Sequence, residues 1–144
     1  MRLREILSKK GRGVVTVTPE QTVLSAMRVL VEHRIGAVPV LDEDGRPCGI
    51  LSERDVLRIG SRDPALLENL QVREIMTREL IVCGEDTRVH EAMGLMTEHR
   101  VRHLPVVGEE GLEGIVSIGD LLKACHQEAA QENLHLRSYI QGVR

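Results

Sequence analysis

Two serine–aspartate pairs in this sequence share one spacing and one setting, and their side chains could hold a ligand. Ser52 and Asp55, and likewise Ser117 and Asp120, stand where a short apolar run gives way to a segment of helical periodicity. At such a junction the serine hydroxyl and the first free backbone N–H groups form an anion site. The carboxylate one turn later can accept two hydrogen bonds from a cis-diol. The pattern therefore fits a ligand that carries a ribose diol and an anionic group.

The same spacing also has a structural interpretation. S-x-x-[DE] at the start of an apolar helix is a capping box, in which these atoms satisfy only their own backbone. That interpretation would be preferred for one isolated instance, whereas two instances at equivalent positions of a repeat favour binding. The two roles are compatible in part, because the serine can cap the helix while the aspartate faces a ligand.

The two pairs belong to an internal repeat that covers most of the chain. His99 less His33 gives an offset of 66 residues, and Ser117 less Ser52 gives 65, because one residue is deleted in between. A unit of about 60 residues is near the lower limit for burying its own core. Two copies that share an apolar face are therefore expected, with ligand sites in the clefts between them. The repeated segments are Ala26-Met27, Glu32-His33-Arg34, Pro39-Val40 and Gly49-Ile50, which return as Ala92-Met93, Glu98-His99-Arg100, Pro105-Val106 and Gly114-Ile115.

Each copy shows the periodicity of a β-α-β-β-α unit, which predicts an α/β (α+β) fold. The expected strands cover residues 14–17, 37–41, 47–51, 80–83, 103–107 and 112–116, and the expected helices cover 23–33, 52–59, 72–76 and 89–99 and a long segment from 117. The second and third strands of each copy should form hairpins around turn sequences. The expected division is 3–60 for the first repeat, 61–71 for a connector, 72–124 for the second repeat and 125–144 for a C-terminal helix extension.

Composition excludes several classes of protein. Tyr139 is the only aromatic residue and the formal charge is −3, whereas nucleic-acid binding usually needs stacking rings and a basic surface. No apolar run approaches the length of a membrane span. Three widely spaced cysteines, Cys48, Cys83 and Cys125, fit free thiols in a reducing compartment. We therefore expect a cytoplasmic protein of the bacterial type without nucleic-acid or membrane partners.

The repeats closely resemble a tandem pair of cystathionine-β-synthase (CBS) domains. Each has an H-R-x-x-x-x-P-V junction from helix to strand and a G-I-[VL]-S-x-x-D junction from strand to helix. The resemblance runs from about Leu3 to Ala124, and residues 8–11, 52–55, 101–106 and 117–120 look most like the small stand-alone bacterial members. It implies a pseudo-twofold module that binds adenosine-containing ligands, such as AMP, ADP, ATP, NAD(H) or S-adenosylmethionine, and signals energy or cofactor status to a regulated partner protein.

By this resemblance, each cleft combines the serine and aspartate of one repeat with the first two strands of the other. One cleft would join Ser117 and Asp120 to Lys10, Val15, Ile35, Gly36 and Ala37, and the other would join Ser52, Arg54 and Asp55 to Thr77, Ile81, Val101, Arg102 and His103. The purine would lie between the aliphatic side chains of Val15, Ile35, Ile81 and Val101, although for any single one of them a role in the core is preferred.

The two clefts should differ in charge. Arg54, Arg102 and His103 occupy repeat positions that carry Gly119, Gly36 and Ala37 on the other side. The Asp55 cleft is therefore expected to prefer phosphate, with an affinity that falls as pH rises through about 6.5, where an unperturbed histidine loses its charge. Solvated arginines and a packed histidine are the competing interpretation.

The resemblance also implies a homodimer, formed through apolar helix faces that include Met27 and Met93. The long last helix, with Leu136, Tyr139 and Ile140, could extend that contact. Two other functions stay open: a dimeric protein-interaction scaffold without nucleotide, and an uncharacterised enzyme. No nucleophile, base and orienting acid form a catalytic set, and the adjacent Cys125 and His126 lack the partners of a metal site, so neither catalysis nor a metal is expected.

Overall fold

The computed structural model describes residues 1–11 and 13–140, and the side chain of Tyr139 lies outside this description. Its helices are α1 (Leu3–Lys10), α2 (Val23–His33), α3 (Glu53–Arg62), α4 (Leu66–Asn69), α5 (Val72–Ile75), α6 (Val89–His99) and α7 (Ile118–Ile140), and its strands are β1 (Ala37–Leu41), β2 (Pro47–Ser52), β3 (His103–Gly108) and β4 (Gly111–Ser117). The expected order of helices and hairpins is confirmed. The sequence did not predict α1 or the short α4 within the connector, and the expected residues 141–144 of the extension lie outside the described residues.

The two hairpins place the serine–aspartate junctions. β1 pairs antiparallel with β2, and Ala37 lies opposite Ser52. β3 pairs with β4 in the same register, with His103 opposite Ser117. Each hairpin thus brings the beginning of its first strand to the residue at which the second strand becomes a helix.

The first strand expected in each repeat, at residues 14–17 and 80–83, is wrong: it is reduced to one parallel bridge. Val17 bridges to Val40 and Cys83 bridges to Val106. The Val17 N–H donates to the Pro39 carbonyl at 3.1 Å, and the Leu41 N–H donates to the Val17 carbonyl at 2.9 Å. The next bond of a parallel ladder would need an N–H on Pro39, which proline lacks. Pro105 stops the equivalent pairing of Cys83 for the same reason.

Each repeat begins with a helix that packs into the core of the other repeat. Leu3, Ile6 and Leu7 of α1 belong to the buried cluster that contains residues of β3 and β4, which we call the second core. Val72 and Met76 belong to the cluster that contains residues of β1 and β2, which we call the first core. Backbone bonds repeat the exchange, since the N–H groups of residues 3 and 72 donate to the carbonyls of residues 87 and 21. The exchange gives the pair its pseudo-twofold symmetry.

The last helix continues well beyond the core. Leu121 and Ala124 are buried in the second core, whereas Leu134, Leu136 and Ile140 are exposed. Among the described residues, no helix is both long and apolar enough to cross a membrane.

Candidate functional site: two clefts at the serine–aspartate junctions

The carboxylate of Asp55 is fixed by the junction that it closes. Its Oδ2 accepts hydrogen bonds from the N–H and the hydroxyl of Ser52, both at 3.0 Å, and Ser52 Oγ accepts from the Asp55 N–H at 3.2 Å. Its Oδ1 accepts from Arg58 Nη2 at 2.7 Å. Asp55 is the only buried charged residue in the described part of the chain. A carboxylate offers about four acceptor sites, so the capping box fixes this group and leaves room for another donor.

The second junction has the same capping bonds and a different cation. Asp120 Oδ2 accepts from the Ser117 N–H at 2.9 Å, and Ser117 Oγ accepts from the Asp120 N–H at 3.1 Å. Lys10 Nζ donates to the same Oδ2 at 2.7 Å. Burial alone would raise the pKa of Asp120, but the bonds from Lys10 and Ser117 outweigh burial and lower the pKa below its ordinary value.

A cavity of about 290 Å³ opens beside Asp55, close to the lower end of the range for small-ligand sites. We call it the Asp55 cleft. It brings together seven of the eight residues that the sequence assigned to this side, all except Ile81. Its lining consists of Gly36, Ala37, Ile50, Ser52, Glu53, Arg54, Asp55, Thr77, Arg100, Val101, Arg102 and His103.

Gly36 and Ala37 lie in this cleft, although the sequence assigned them to the Asp120 side. Hairpin pairing explains their position, because the Glu53 N–H donates to the Gly36 carbonyl at 2.9 Å and Ala37 lies opposite Ser52. The ring of His103 approaches the same point: a Cβ on Gly36 would lie 3.5 Å from its Cε1. The beginnings of β1 and β3 therefore meet at this cleft.

Three of the apolar residues expected around a purine pack into the cores instead. Val15 and Ile35 lie partly buried against the first core, and Ile81 lies against the second. None of them lines the cavities at Asp55 or Asp120. Val101, the fourth of these residues, packs on the second core and also lines the Asp55 cleft.

Sequence reasoning missed three lining residues, Ile50, Glu53 and Arg100. Arg100 ends α6 with φ 55°, a left-handed conformation that non-glycine residues rarely adopt, and Arg34 ends α2 in the same way with φ 53°. This turn directs the following residues, Val101 to His103, along the cleft. The repeated H-R pair was the available signal, since the arginine holds the capping position in both copies.

His103 lies between the two clefts, and its surroundings shift its titration. Burial lowers the pKa of His103 below the ordinary 6.5, and the charge of Lys10 lowers it further, while Asp120 and Glu53 oppose these effects. The pH dependence expected near 6.5 therefore moves to lower pH, because the ring loses its proton before that value is reached. At neutral pH the cations of the Asp55 cleft are its arginines.

A smaller cavity of about 190 Å³ opens beside Asp120, and we call it the Asp120 cleft. Its lining consists of Met1, Ile6, Lys9, Lys10, Asp120, Lys123, Ala124 and Gln127. Lys10 is thus the only residue assigned to this side from the first repeat that meets Asp120 here. Lys123, which the sequence did not suggest, brings the lysines of this cleft to three. In the described part of the chain, no three His, Cys, Asp or Glu side chains are grouped as a metal site.

Comparison with known proteins agrees with this architecture. The sequence model of the CBS domain matches residues 3–62 and 72–127. The mitochondrial CBS domain-containing protein CBSX3 of Arabidopsis thaliana is 35% identical over an alignment of 148 positions, which covers 97% of this chain and 72% of that protein. The crystal structure of the CBS-domain containing protein ATU1752 from Agrobacterium tumefaciens has a TM-score of 0.81 and 38% identity, and covers 86% of this chain and 98% of that one.

Two further matches bear on function. The CBS domain pair of protein MJ0100, in complex with 5'-methylthioadenosine and S-adenosyl-L-methionine, has a TM-score of 0.74 and 27% identity, and covers 86% of this chain and 98% of that one. Inosine-5'-monophosphate dehydrogenase of Methanocaldococcus jannaschii is 34% identical, but the matched segment is 78% of this chain and only 22% of the enzyme. Because the family model matches both repeats and the fold agrees, this chain belongs to the CBS domain family and is a tandem CBS-domain pair.

Proposed function

We propose that this CBS pair is a regulatory module that binds an adenosine-containing ligand (AMP, ADP, ATP or NAD(H)) and signals its presence to a partner protein. The observation that carries the proposal is the Asp55 cleft, where a fixed carboxylate and three arginines, Arg54, Arg100 and Arg102, line one cavity. The ligand complex of the MJ0100 pair supports the same chemistry. We propose no catalytic role. The free state of all three cysteines is consistent with the proposed cytoplasmic location.

The cleft offers a partner for each part of such a ligand. Asp55 would accept from the ribose hydroxyls, as carboxylates do for ribose elsewhere. The arginines would bind phosphate through their planar guanidinium groups. Ala37, Ile50 and Val101 supply an apolar wall for a purine without any aromatic ring, which is a normal lining for a small-ligand site.

A thermal-shift screen across AMP, ADP, ATP, NAD+, NADH and S-adenosylmethionine tests the proposal. A ligand that binds only the native state must stabilise it, by about 2.7 kcal/mol at one hundred times the dissociation constant. If none of these compounds shifts the melting temperature at millimolar concentration, a protein-interaction scaffold without nucleotide becomes the better function. Turnover of a bound nucleotide would instead indicate an enzyme.

The Asp55 cleft should depend on its arginines for phosphate. We expect Arg102→Ala to weaken AMP and ATP binding at this cleft by about tenfold, as loss of a charged hydrogen bond of about 1.5 kcal/mol would, and Arg54→Ala to act in the same direction. Lys10→Ala should leave this cleft nearly unchanged, because Lys10 lines the other cavity. Calorimetric titration of the variants measures these effects, and equal losses from all three changes would contradict the separation of the clefts.

We also propose that the pair forms a homodimer through the groove between α2 and α3. Val31 and Leu57 in this groove are each 72% exposed, and Leu122, at the repeat position equivalent to Leu57, is 52% exposed. Met27 and Leu30 form the floor of the same groove. Exposed apolar side chains at equivalent positions suit a symmetric contact between two copies.

Light scattering at micromolar concentration should therefore give twice the 16.1 kDa mass of one chain. Truncation after Ala124 removes Leu136 and Ile140, the exposed residues of α7 that we expect to extend the contact, and it should weaken the dimer by more than it weakens nucleotide binding. A 16.1 kDa species at every concentration would rule out the dimer. If the truncated chain loses nucleotide binding but stays dimeric, the end of α7 supports the ligand site and not the dimer.

A further inference from the structure

The two leading helices differ in length, although they occupy equivalent places. Leu7 packs on Gly114, where a Cβ would lie 2.5 Å from Leu7 Cδ2, and Met76 packs on Gly49, where a Cβ would lie 2.5 Å from Met76 Sδ. Leu7 and Met76 are therefore structural equivalents. After Met76, which is extended with φ −61° and ψ 153°, the chain has left its helix. After Leu7, the helix continues to Lys10.

This difference changes what pairs with the edge of the hairpin. At the first hairpin, Thr77 of the second repeat bridges to Ile50: its N–H donates to the Ile50 carbonyl at 2.9 Å, and its carbonyl accepts from the Ile50 N–H at 3.0 Å. At the second hairpin, the residue equivalent to Thr77 is Ser8 of the first repeat, which is helical. The carbonyl of Ile115, equivalent to Ile50, accepts instead from Lys10 Nζ at 3.0 Å. A side chain thus takes the place of a backbone bridge.

The same ammonium group also neutralises Asp120. Lys10 Nζ lies 2.7 Å from Oδ2 of Asp120, one of the two oxygens of the carboxylate expected to receive ribose. The Asp55 cleft has no equivalent of this pair among the described contacts, because the residue at the position of Lys10 is Glu79 and Asp55 is paired with Arg58 from its own helix. A cis-diol that takes both carboxylate oxygens of Asp120 must therefore compete with Lys10 for Oδ2, whereas at Asp55 the described contacts pair no side chain of the other repeat with the carboxylate.

We propose that Lys10 is a latch on the Asp120 cleft, which a phosphate-bearing ligand opens by unwinding the last turn of α1 into the extended conformation that follows α5 in the other repeat. The inference rests on the proposed function and deepens it for the second cleft. Unwinding would break the 2.8 Å bond from the Gly11 N–H to the Leu7 carbonyl. It would let Ser8 form the backbone bridge to Ile115 that Thr77 forms to Ile50. Leu7 keeps its place on Gly114, as Met76 does on Gly49.

The latch also selects the class of ligand. A neutral nucleoside that displaced Lys10 from Asp120 would break the ion pair, and it has no anionic group that could bind the ammonium instead. A phosphate would accept the displaced ammonium, and Lys9 and Lys123 line the same cavity with two further positive charges. Lysine suits such an exchange, since its charge is a point on a flexible stem rather than a rigid fork. The Asp120 cleft should therefore respond to AMP and reject adenosine.

Amide NMR titration of the full chain with adenosine and with AMP tests the latch through the Ile115 amide, because Ile115 bonds to Lys10 and does not line the Asp55 cleft. In Lys10→Met we expect adenosine affinity to rise about three- to fivefold, in keeping with the modest strength of a half-exposed ion pair, and AMP affinity to fall. AMP should also speed hydrogen exchange at the Gly11 amide of the unaltered protein. Lys10→Arg should keep the latch, and Lys9→Met, on the same turn, should weaken AMP without improving adenosine.

The outcomes separate the latch from the proposed function. If Lys10→Met weakens AMP and leaves adenosine unchanged, Lys10 is a phosphate ligand only and the latch is wrong. The latch is also wrong if AMP shifts the Ile115 amide resonance while hydrogen exchange at the Gly11 amide stays unchanged. In both cases nucleotide binding stands. If no adenine compound shifts any resonance at either cleft, in any variant, the proposed function fails and the latch fails with it.

Discussion

Asp55→Asn should weaken binding of AMP and ATP at the Asp55 cleft by roughly 10- to 150-fold, which corresponds to the 1.5–3 kcal/mol typical of hydrogen bonds to a charged group. The substitution keeps the shape of the side chain and removes its charge. Asn also presents an amide N–H₂ group, which cannot accept a hydrogen bond from a ribose hydroxyl. The change therefore tests the carboxylate more cleanly than truncation to alanine does.

The structure gives this prediction its controls. Arg58 donates to Asp55 Oδ1 at 2.7 Å, and its side chain is 55% exposed. Arg58→Met should release that oxygen, so that binding stays the same or becomes tighter. Asp55→Asn will also reduce stability, because the carboxylate is buried and accepts from Ser52. Calorimetric titration must therefore be performed well below the midpoint temperature of thermal unfolding of the variant. A folded Asp55→Asn protein that binds every adenine ligand with unchanged affinity would show that ribose is not held here.

Asp120→Asn should behave differently, although the motif is the same. It removes the acceptor of the Asp120 cleft and also releases Lys10 from its ion pair. The affinity for AMP measured from the Ile115 amide resonance should fall, while the affinity of the Asp55 cleft stays unchanged. The Ser-x-x-Asp motif is the same at both junctions, and the cation that faces each carboxylate, Arg58 or Lys10, makes the two unequal.

The repeat and its hairpins could be predicted from the sequence because they depend on local patterns. Alternating apolar runs and turn residues define β1 to β4, and the spacing of α6 at Val89–His99 matches its periodicity. The paired Ser-x-x-Asp positions likewise identify the two junctions, since strand end and helix start adjoin in the chain. These features need no knowledge of what lies across the fold.

The remainder depended on contacts between distant segments. Residues 14–17 have the composition of a strand, but Pro39 on the neighbouring strand limits them to one bridge at Val17. Residues 3–10 are dominated by charge, and they form a helix because Leu3 and Leu7 fill the second core. The pairing of Lys10 with Asp120 follows from that exchange of helices, and spacing within one repeat carries no information on it. Arg58, by contrast, lies one turn after Asp55 in α3.

The exchange predicts a large loss of stability in Leu7→Ala. Leu7 is 1% exposed and belongs to the core of the second repeat. Deleting its side chain from a packed core should lower the free energy of unfolding by about 2–5 kcal/mol. For a chain of this size the melting temperature falls roughly 2–4 °C for each kcal/mol. Denaturant unfolding followed by circular dichroism measures the change.

A matched control and a local readout make this prediction specific to the exchanged helix. Leu134→Ala deletes the same atoms at a position that is 63% exposed, and it should change stability by no more than about 0.5 kcal/mol. Hydrogen exchange in Leu7→Ala should accelerate more in β3 and β4 than in β1 and β2, because α1 contacts β4. Met76→Ala should reverse that order, since Met76 fills the first core. Equal acceleration of both hairpins in both variants would mean that the two cores open as one unit. A stability loss in Leu7→Ala no larger than in Leu134→Ala would contradict the packing of α1 itself, and the Lys10 latch would then lose the helix that holds it in place.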